Sequence, residues 1–174
     1  MAEDCTVRHA VPGDAGAFAG SQVAAWRAAY RGILSPDHLA GLDADRLTPG
    51  WERRIADAGP DVRHLALCVG SDVVEWSGMG APRDDVDAGV GEVHALNVSP
   101  EYWSRGFGSA LFSRSVQELA AMGYLRGYLW VADGNTRAVS FYARHGWHVD
   151  GVTKEDGRFT PALHELRVSA GALG

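Results

Sequence analysis

Residues 92–122 read EVHALNVSPEYWSRGFGSALFSRSVQELAAM. Glu92–Val98 alternates as a strand and stops at Ser99-Pro100, since proline cannot donate to a strand ladder. The turn Tyr102–Gly108 carries two glycines. From Ser109 to Met122 the residues Leu111, Phe112, Val116, Leu119 and Ala120 share one helical face, and Gly123 closes the helix. A strand that runs through a glycine turn into a helix gathers free backbone N–H groups and the positive end of a helix dipole in one concavity. Gly106 and Gly108 have no Cβ to hold an anion off the main chain, and Arg105 adds positive charge. Such a site suits a pyrophosphate. It is neither of the commoner phosphate loops: G-x-x-x-x-G-K-S/T is absent, and Leu111 stands where the third glycine of G-x-G-x-x-G would fall.

The flanking segments supply the rest of a fold. Downstream, Arg126–Ala132 is a strand, Thr136–His145 a helix ended by Gly146, and Trp147–Thr153 and Leu163–Ser169 are closing strands. Upstream, Val62–Val69 and Val73–Ala81 flank a turn at Ser71-Asp72, which predicts a hairpin. The aspartate-rich stretch Pro82–Gly91 reads as a solvated loop. Cys5–His9 is a first strand, and Asp14 an N-cap for a helix whose Phe18, Gln22, Trp26 and Tyr30 recur every four residues. Ser35-Pro36 and Thr48-Pro49 each look like an N-cap followed by a first-turn proline. Strands alternating with helices after a hairpin predict a mixed central sheet in a three-layer α/β/α arrangement.

The length of 174 residues suits one domain over residues 1–174, and the 46% apolar content suits a packed core. Sixteen basic against twenty-two acidic side chains, with no basic run, argue against nucleic acid and against an anionic membrane surface as partners. Residues 1–100 hold 8 basic and 15 acidic side chains against 8 and 7 in the remainder, so an acceptor bound by the first part is expected to be cationic. Cys5 and Cys68 lack metal or disulfide spacing and read as buried thiols. No apolar run has membrane-spanning length and no basic leader precedes residue 5, so a cytoplasmic location is expected. The pair His145-x-x-His148 is broken by Gly146, and Asp84, Asp85 and Asp87 lack calcium-loop spacing, so no metal is expected.

After the second strand comes Asn135-Thr-Arg-Ala138-Val-Ser-Phe141-Tyr142-Ala-Arg-His-Gly146-Trp147. With the glycine turn some thirty residues before it, this run resembles the GCN5-related N-acetyltransferase superfamily. That family pairs Q/R-x-x-G-x-G/A with N-x-x-A-x-x-F-Y-x-x-x-G-F/W. The opening Val7–Asp14 and Trp26–Tyr30 look like its N-terminal half. Trp103 stands where Gln or Arg is usual, and Glu75 where glycine is common. The resemblance implies transfer of an acetyl group from acetyl-CoA to an amine. It implies cofactor contacts at Leu96, Val98, Trp103, Arg105, Gly106, Phe107, Gly108, Ser109, Asn135 and Tyr142, with the strand at Leu96–Val98 splayed from its neighbour. It implies that Tyr142 protonates the departing thiolate, and it allows a homodimer.

Direct attack needs a neutral amine, and a lysine-like amine of pKa about 10.4 is handicapped by about 4.6 kcal/mol at pH 7. A base is therefore needed. Strict alternation puts Glu92, His94, Leu96 and Val98 on one face, which makes Glu92 a candidate base and His94 a relay or base, and the resemblance implies that Glu92 works through water. Trp26, Tyr30, Glu75 and Trp76 are candidates for the acceptor site. The leading expectation is acetylation of a small-molecule primary amine. Acetylation of a protein N-terminus or lysine, a non-catalytic CoA sensor, and a different nucleotide on the glycine turn are the alternatives.

Overall fold

The computed structural model describes residues 5–173. Residues 1–4, where the lack of a basic leader was read, lie outside them. Seven strands form one sheet in the order β1-β2-β3-β4-β5-β7-β6. They are β1 (Cys5–His9), β2 (Val62–Val69), β3 (Asp72–Gly80), β4 (Val90–Val98), β5 (Arg126–Ala132), β6 (His148–Asp156) and β7 (Leu163–Ala170). Only β4 and β5 run parallel; every other neighbouring pair is antiparallel. The helices are α1 (Ala15–Ala29), α2 (Pro36–Ala40), α3 (Ala44–Ala56), α4 (Phe107–Ala121) and α5 (Thr136–Arg144). The expected mixed sheet between helical layers is the architecture observed.

Strand alternation assigns each layer its side chains. On one face Trp76 stacks on Phe18 of α1 at 5.1 Å between ring centroids and meets Trp51 of α3 edge-on at 4.3 Å. On the other face Ser77 Oγ lies 2.7 Å from Ser115 Oγ of α4, among Leu65, Leu67, Leu111 and Phe112. Phe112 packs in turn on Phe141 and Tyr142, which seats α5 beside α4. Burial of these side chains at about 1.5–3 kcal/mol each drives the layering.

Several local expectations need correction. Asp14 stands at the start of α1 but does not cap it; its carboxylate turns back to the Val11 N–H and to a bidentate pair with Arg8. The α3 helix begins at Ala44 instead of Thr48-Pro49. Asp43 accepts from the N–H groups of Asp45 and Arg46 and so captures the N-terminus, leaving Pro49 inside the helix. The hairpin turns at Gly70-Ser71, with Gly70 at φ +60°. Cys68 is buried but Cys5, on an edge strand, is exposed.

Candidate active site

β4 and β5 pair only over Val90–Glu92 against Arg126–Tyr128 and then diverge. From Val93 to Val98 the β5-facing edge of β4 carries no strand, and the gap opens into the sheet beside the glycine turn. That turn holds Ser104 at φ +63° and Gly106 at φ +89°, a left-handed geometry that glycine adopts without steric cost. The first bond into α4 is Ala110 N–H to the Gly106 carbonyl, so the amides of Phe107, Gly108 and Ser109 lack helical acceptors. A cavity of about 570 Å³ lies over them, between α4 and α5 and reaching Leu96–Val98. Its only charged lining residues are Arg137 and Arg144. Free amides, a helix dipole and two cations without a carboxylate fit a diphosphate.

A second cavity, about 1030 Å³, opens on the α1/α3 side of the sheet. Its floor is His94–Asn97 of β4, and Trp26, Trp51, Trp76, Trp130 and Phe159 wall it. The two cavities share Trp26, Tyr30, Leu96, Asn97, Asn135, Ala138 and Tyr142. They therefore meet in the strand gap. The Tyr142 hydroxyl has no hydrogen bond among the described residues, and burial beside the Tyr30 phenol pushes its pKa well above the usual phenol range. It stays protonated at neutral pH. Burial likewise lifts Tyr30 to about 12.

A bulge interrupts β4. Gly78 pairs with Ala95 and Met79 with Val93, so His94 is an extra residue and the alternation inverts across it. Glu92 consequently lies on the face opposite Leu96 and Val98, contrary to the expected pattern. It is wholly buried, and its oxygens accept from the Arg83 N–H at 2.8 Å, the Arg83 guanidinium and the Tyr128 hydroxyl at 3.0 Å. These contacts occupy both carboxylate oxygens and tie Glu92 to Arg83. His94 lines the second cavity. Its Nε2 lies 2.8 Å from the Ala81 carbonyl, which can only accept, so Nε2 carries the proton and Nδ1 keeps its lone pair. Burial lowers its pKa and keeps the ring neutral. Glu92 Oε2 stands 3.9 Å from Nε2.

A model of the acetyltransferase (GNAT) family matches residues 27–147, which takes in every shared residue of the two cavities except Trp26. The chain belongs to the GNAT acetyltransferase family. It is 26% identical over 171 residues to YuaI of Bacillus subtilis (strain 168), named an uncharacterized N-acetyltransferase, covering 93% of this chain and 96% of YuaI. It is 33% identical over 72 residues to the mycothiol acetyltransferase of Geodermatophilus obscurus, a match that takes in 41% of this chain but only 23% of that relative's length. Two solved structures share the fold. PaiA N-acetyltransferase from Thermoplasma acidophilum, in complex with coenzyme A, has a TM-score of 0.74 at 19% identity over 96% of this chain and 98% of that one. Salmonella typhimurium yncA, with its cofactor acetyl-CoA, has a TM-score of 0.68 at 17% identity over 98% and 95%.

Within this GNAT chain the cofactor candidates Leu96, Val98, Trp103, Gly106, Gly108, Ser109, Asn135 and Tyr142 all line the first cavity. Trp103 donates from Nε1 to the Val98 carbonyl at 2.8 Å and lies under Arg137 at 4.2 Å, so it braces the turn. Asn135 caps α5 by accepting from the Ala138 N–H. Arg105 and Phe107 do not line it: Arg105 stacks over Tyr102, and the Phe107 side chain is in the core. Of the residues expected at the acceptor site, Trp26, Tyr30 and Trp76 line the second cavity, but Glu75 does not. Alternation turns Glu75 toward α4, in a row with Val7, Leu67 and Val98. Both its oxygens are buried without a partner, and burial pushes its pKa up to about 8. The second cavity is not acidic either: Arg53, Arg54, Arg83, Lys154 and Arg158 share its lining with Asp57, Asp156 and Glu165. Sequence reasoning missed Arg137, Arg144, Asn97 and the whole β6–β7 wall. Only the two arginines sat in a motif that could have flagged them.

Proposed function

We propose that this chain transfers the acetyl group of acetyl-CoA to the primary amine of a small molecule, by direct attack in a ternary complex. The observation that carries the reading is the shared wall of the two cavities at Tyr30, Leu96, Asn97 and Tyr142. A diphosphate held at the Phe107–Ser109 amides and an amine entering from the α1/α3 side would meet there without crossing the sheet. Bound acetyl-CoA supplies an activated acyl carbon and a sulfur leaving group. The cavity volume of about 1030 Å³ lies at the upper end for small-molecule sites.

His94 takes the amine proton on Nδ1, directly or through one water, while Nε2–H stays on the Ala81 carbonyl. Glu92, clamped by Arg83, faces the ring and stabilises the imidazolium once it forms. Tyr142 delivers the proton of its hydroxyl to the sulfur as the C–S bond breaks and the N–C bond forms. Exchange with water then returns a proton to the phenol and removes one from His94. The test is thiol release by purified protein given acetyl-CoA with small amines and with peptides. Release with small amines supports the reading. Faster release with peptides would overturn the acceptor class, and tight acetyl-CoA binding without turnover of either would make the chain a sensor.

A further inference from the structure

On the far wall of the acceptor cavity, Lys154 of β6 and Glu165 of β7 are cross-strand partners and project on one face. Lys154 Nζ lies 3.8 Å from Glu165 Oε2, 3.9 Å from Asp84 Oδ1 and 4.1 Å from the centre of the Trp130 ring. All are beyond hydrogen-bonding distance. A side chain 35% exposed thus keeps three N–H donors without acceptors among the described residues. Glu165, 17% exposed, accepts no hydrogen bond from the described residues. Two opposite charges stand side by side, each with unfilled bonding capacity beside a cavity.

We propose, on the footing of the acetyltransferase reading above, that the acceptor is an α-amino acid held by both its charges, its ammonium end toward Glu165 and its carboxylate on Lys154. In an amino acid the two charged groups are separated by a single carbon, which suits adjacent and opposite partners. The orientation follows from the neighbours. Glu165 stands on β7, next to β5, and Lys154 on the edge strand β6, so the Glu165 end lies nearer the gap between β4 and β5. Arg83 and Arg158 also line the cavity, but each is already paired, with Glu92 and with Asp156, which leaves Lys154 as the cation with unfilled donors on this wall. A polyamine brings no carboxylate for Lys154, and its second ammonium would meet the Lys154 charge instead. Trp26, Trp130 and Phe159 leave an aromatic wall for an apolar side chain.

The test pairs each acid with its decarboxylated amine: phenylalanine with phenethylamine, tryptophan with tryptamine, leucine with isopentylamine, and adds spermidine. The best acid should exceed its amine at least ~10-fold in kcat/KM, a charged hydrogen bond being worth about that much or more. Lys154→Met should abolish the preference through a KM for the acid raised about 10- to 100-fold, and Lys154→Arg should keep most of it. Amines or spermidine matching the acids, or an unaltered KM in Lys154→Met, would overturn the proposal. If no amine at all releases thiol, the acetyltransferase reading fails by itself. Calorimetry on the CoA-loaded protein then decides this one: acids bound by wild type but not by Lys154→Met uphold it, and no binding overturns it.

Discussion

Replacing Glu92 by Gln distinguishes a base from a scaffold. The carboxylate is wholly buried and takes its hydrogen bonds from Arg83 and Tyr128. An amide keeps the shape but turns one N–H₂ toward donors and leaves the guanidinium without its counter-charge. Removing one partner of a buried ion pair costs about 3–5 kcal/mol. The Arg83 side chain is 55% exposed, so water recovers part of that, and about 2–3 kcal/mol is expected. At about 2–4 °C per kcal/mol for a chain of this size, the melting temperature should fall by roughly 4–12 °C. The pH–rate profile carries the mechanistic information. Glu92 raises the His94 pKa by its charge, so the variant's acidic limb should move to lower pH while the limb itself persists. Thermal melts and kcat/KM between pH 5 and 9 measure both. A melting temperature within 2 °C of wild type, together with an acidic limb lost or moved to higher pH, would refute the argument and make Glu92 the base.

Tyr142→Phe should lower kcat by about 10²- to 10⁴-fold and leave the acetyl-CoA Kd within about twofold; an unchanged kcat removes the acid role. At Gly108 a Cβ would rest 3.4 Å from Val98 Cγ2 and 3.7 Å from Phe141, ordinary contacts, whereas the methyls of Gly108→Val would extend toward the diphosphate site. The CoA Kd should therefore rise more than ~10-fold with the melting temperature within a few degrees, and wild-type affinity by calorimetry would place the cradle elsewhere. Burial raises the Glu75 pKa from 4.5 to about 8 in the fold, so the native state binds the proton more tightly than the unfolded chain. Stability from it is complete below pH 4.5 and is lost as pH rises toward 8, about 3 kcal/mol by pH 7. The melting advantage of Glu75→Leu over wild type should grow from pH 5 to pH 8; an advantage flat across that range contradicts the argument.

The local chemistry was legible in the chain. The glycine turn, the Asn135 cap, the four-residue step of α1 and the position of Tyr142 depend on residues within one or two helical turns of each other. Local signals competed in places. Asp43 offered an N-cap five residues ahead of Thr48 and won, because a helix started earlier buries Trp51 and Ile55 just as well and gains hydrogen bonds to two amides. The Pro82–Gly91 loop reads as solvated, yet Asp84 accepts from the Trp130 indole and donates its N–H to the Tyr128 hydroxyl, which pins the loop over β5. Nothing in its own sequence marks those distant partners.

By itself the sequence determined the glycine cradle, the helix that follows it, the phenol at 142 and hence the family, because each is written in short-range spacing and backbone freedom. Only the tertiary structure decided which carboxylates matter. Strand register is a pairing of segments remote in the chain, and one extra residue at His94 turns Glu92 from the expected face into a clamp on Arg83. Net charge over a hundred residues likewise says nothing of which side chains converge. The proposed acceptor wall is built where β6 and β7 bring Lys154 and Glu165 together beside β5, and proximity through space has no signature in either segment alone.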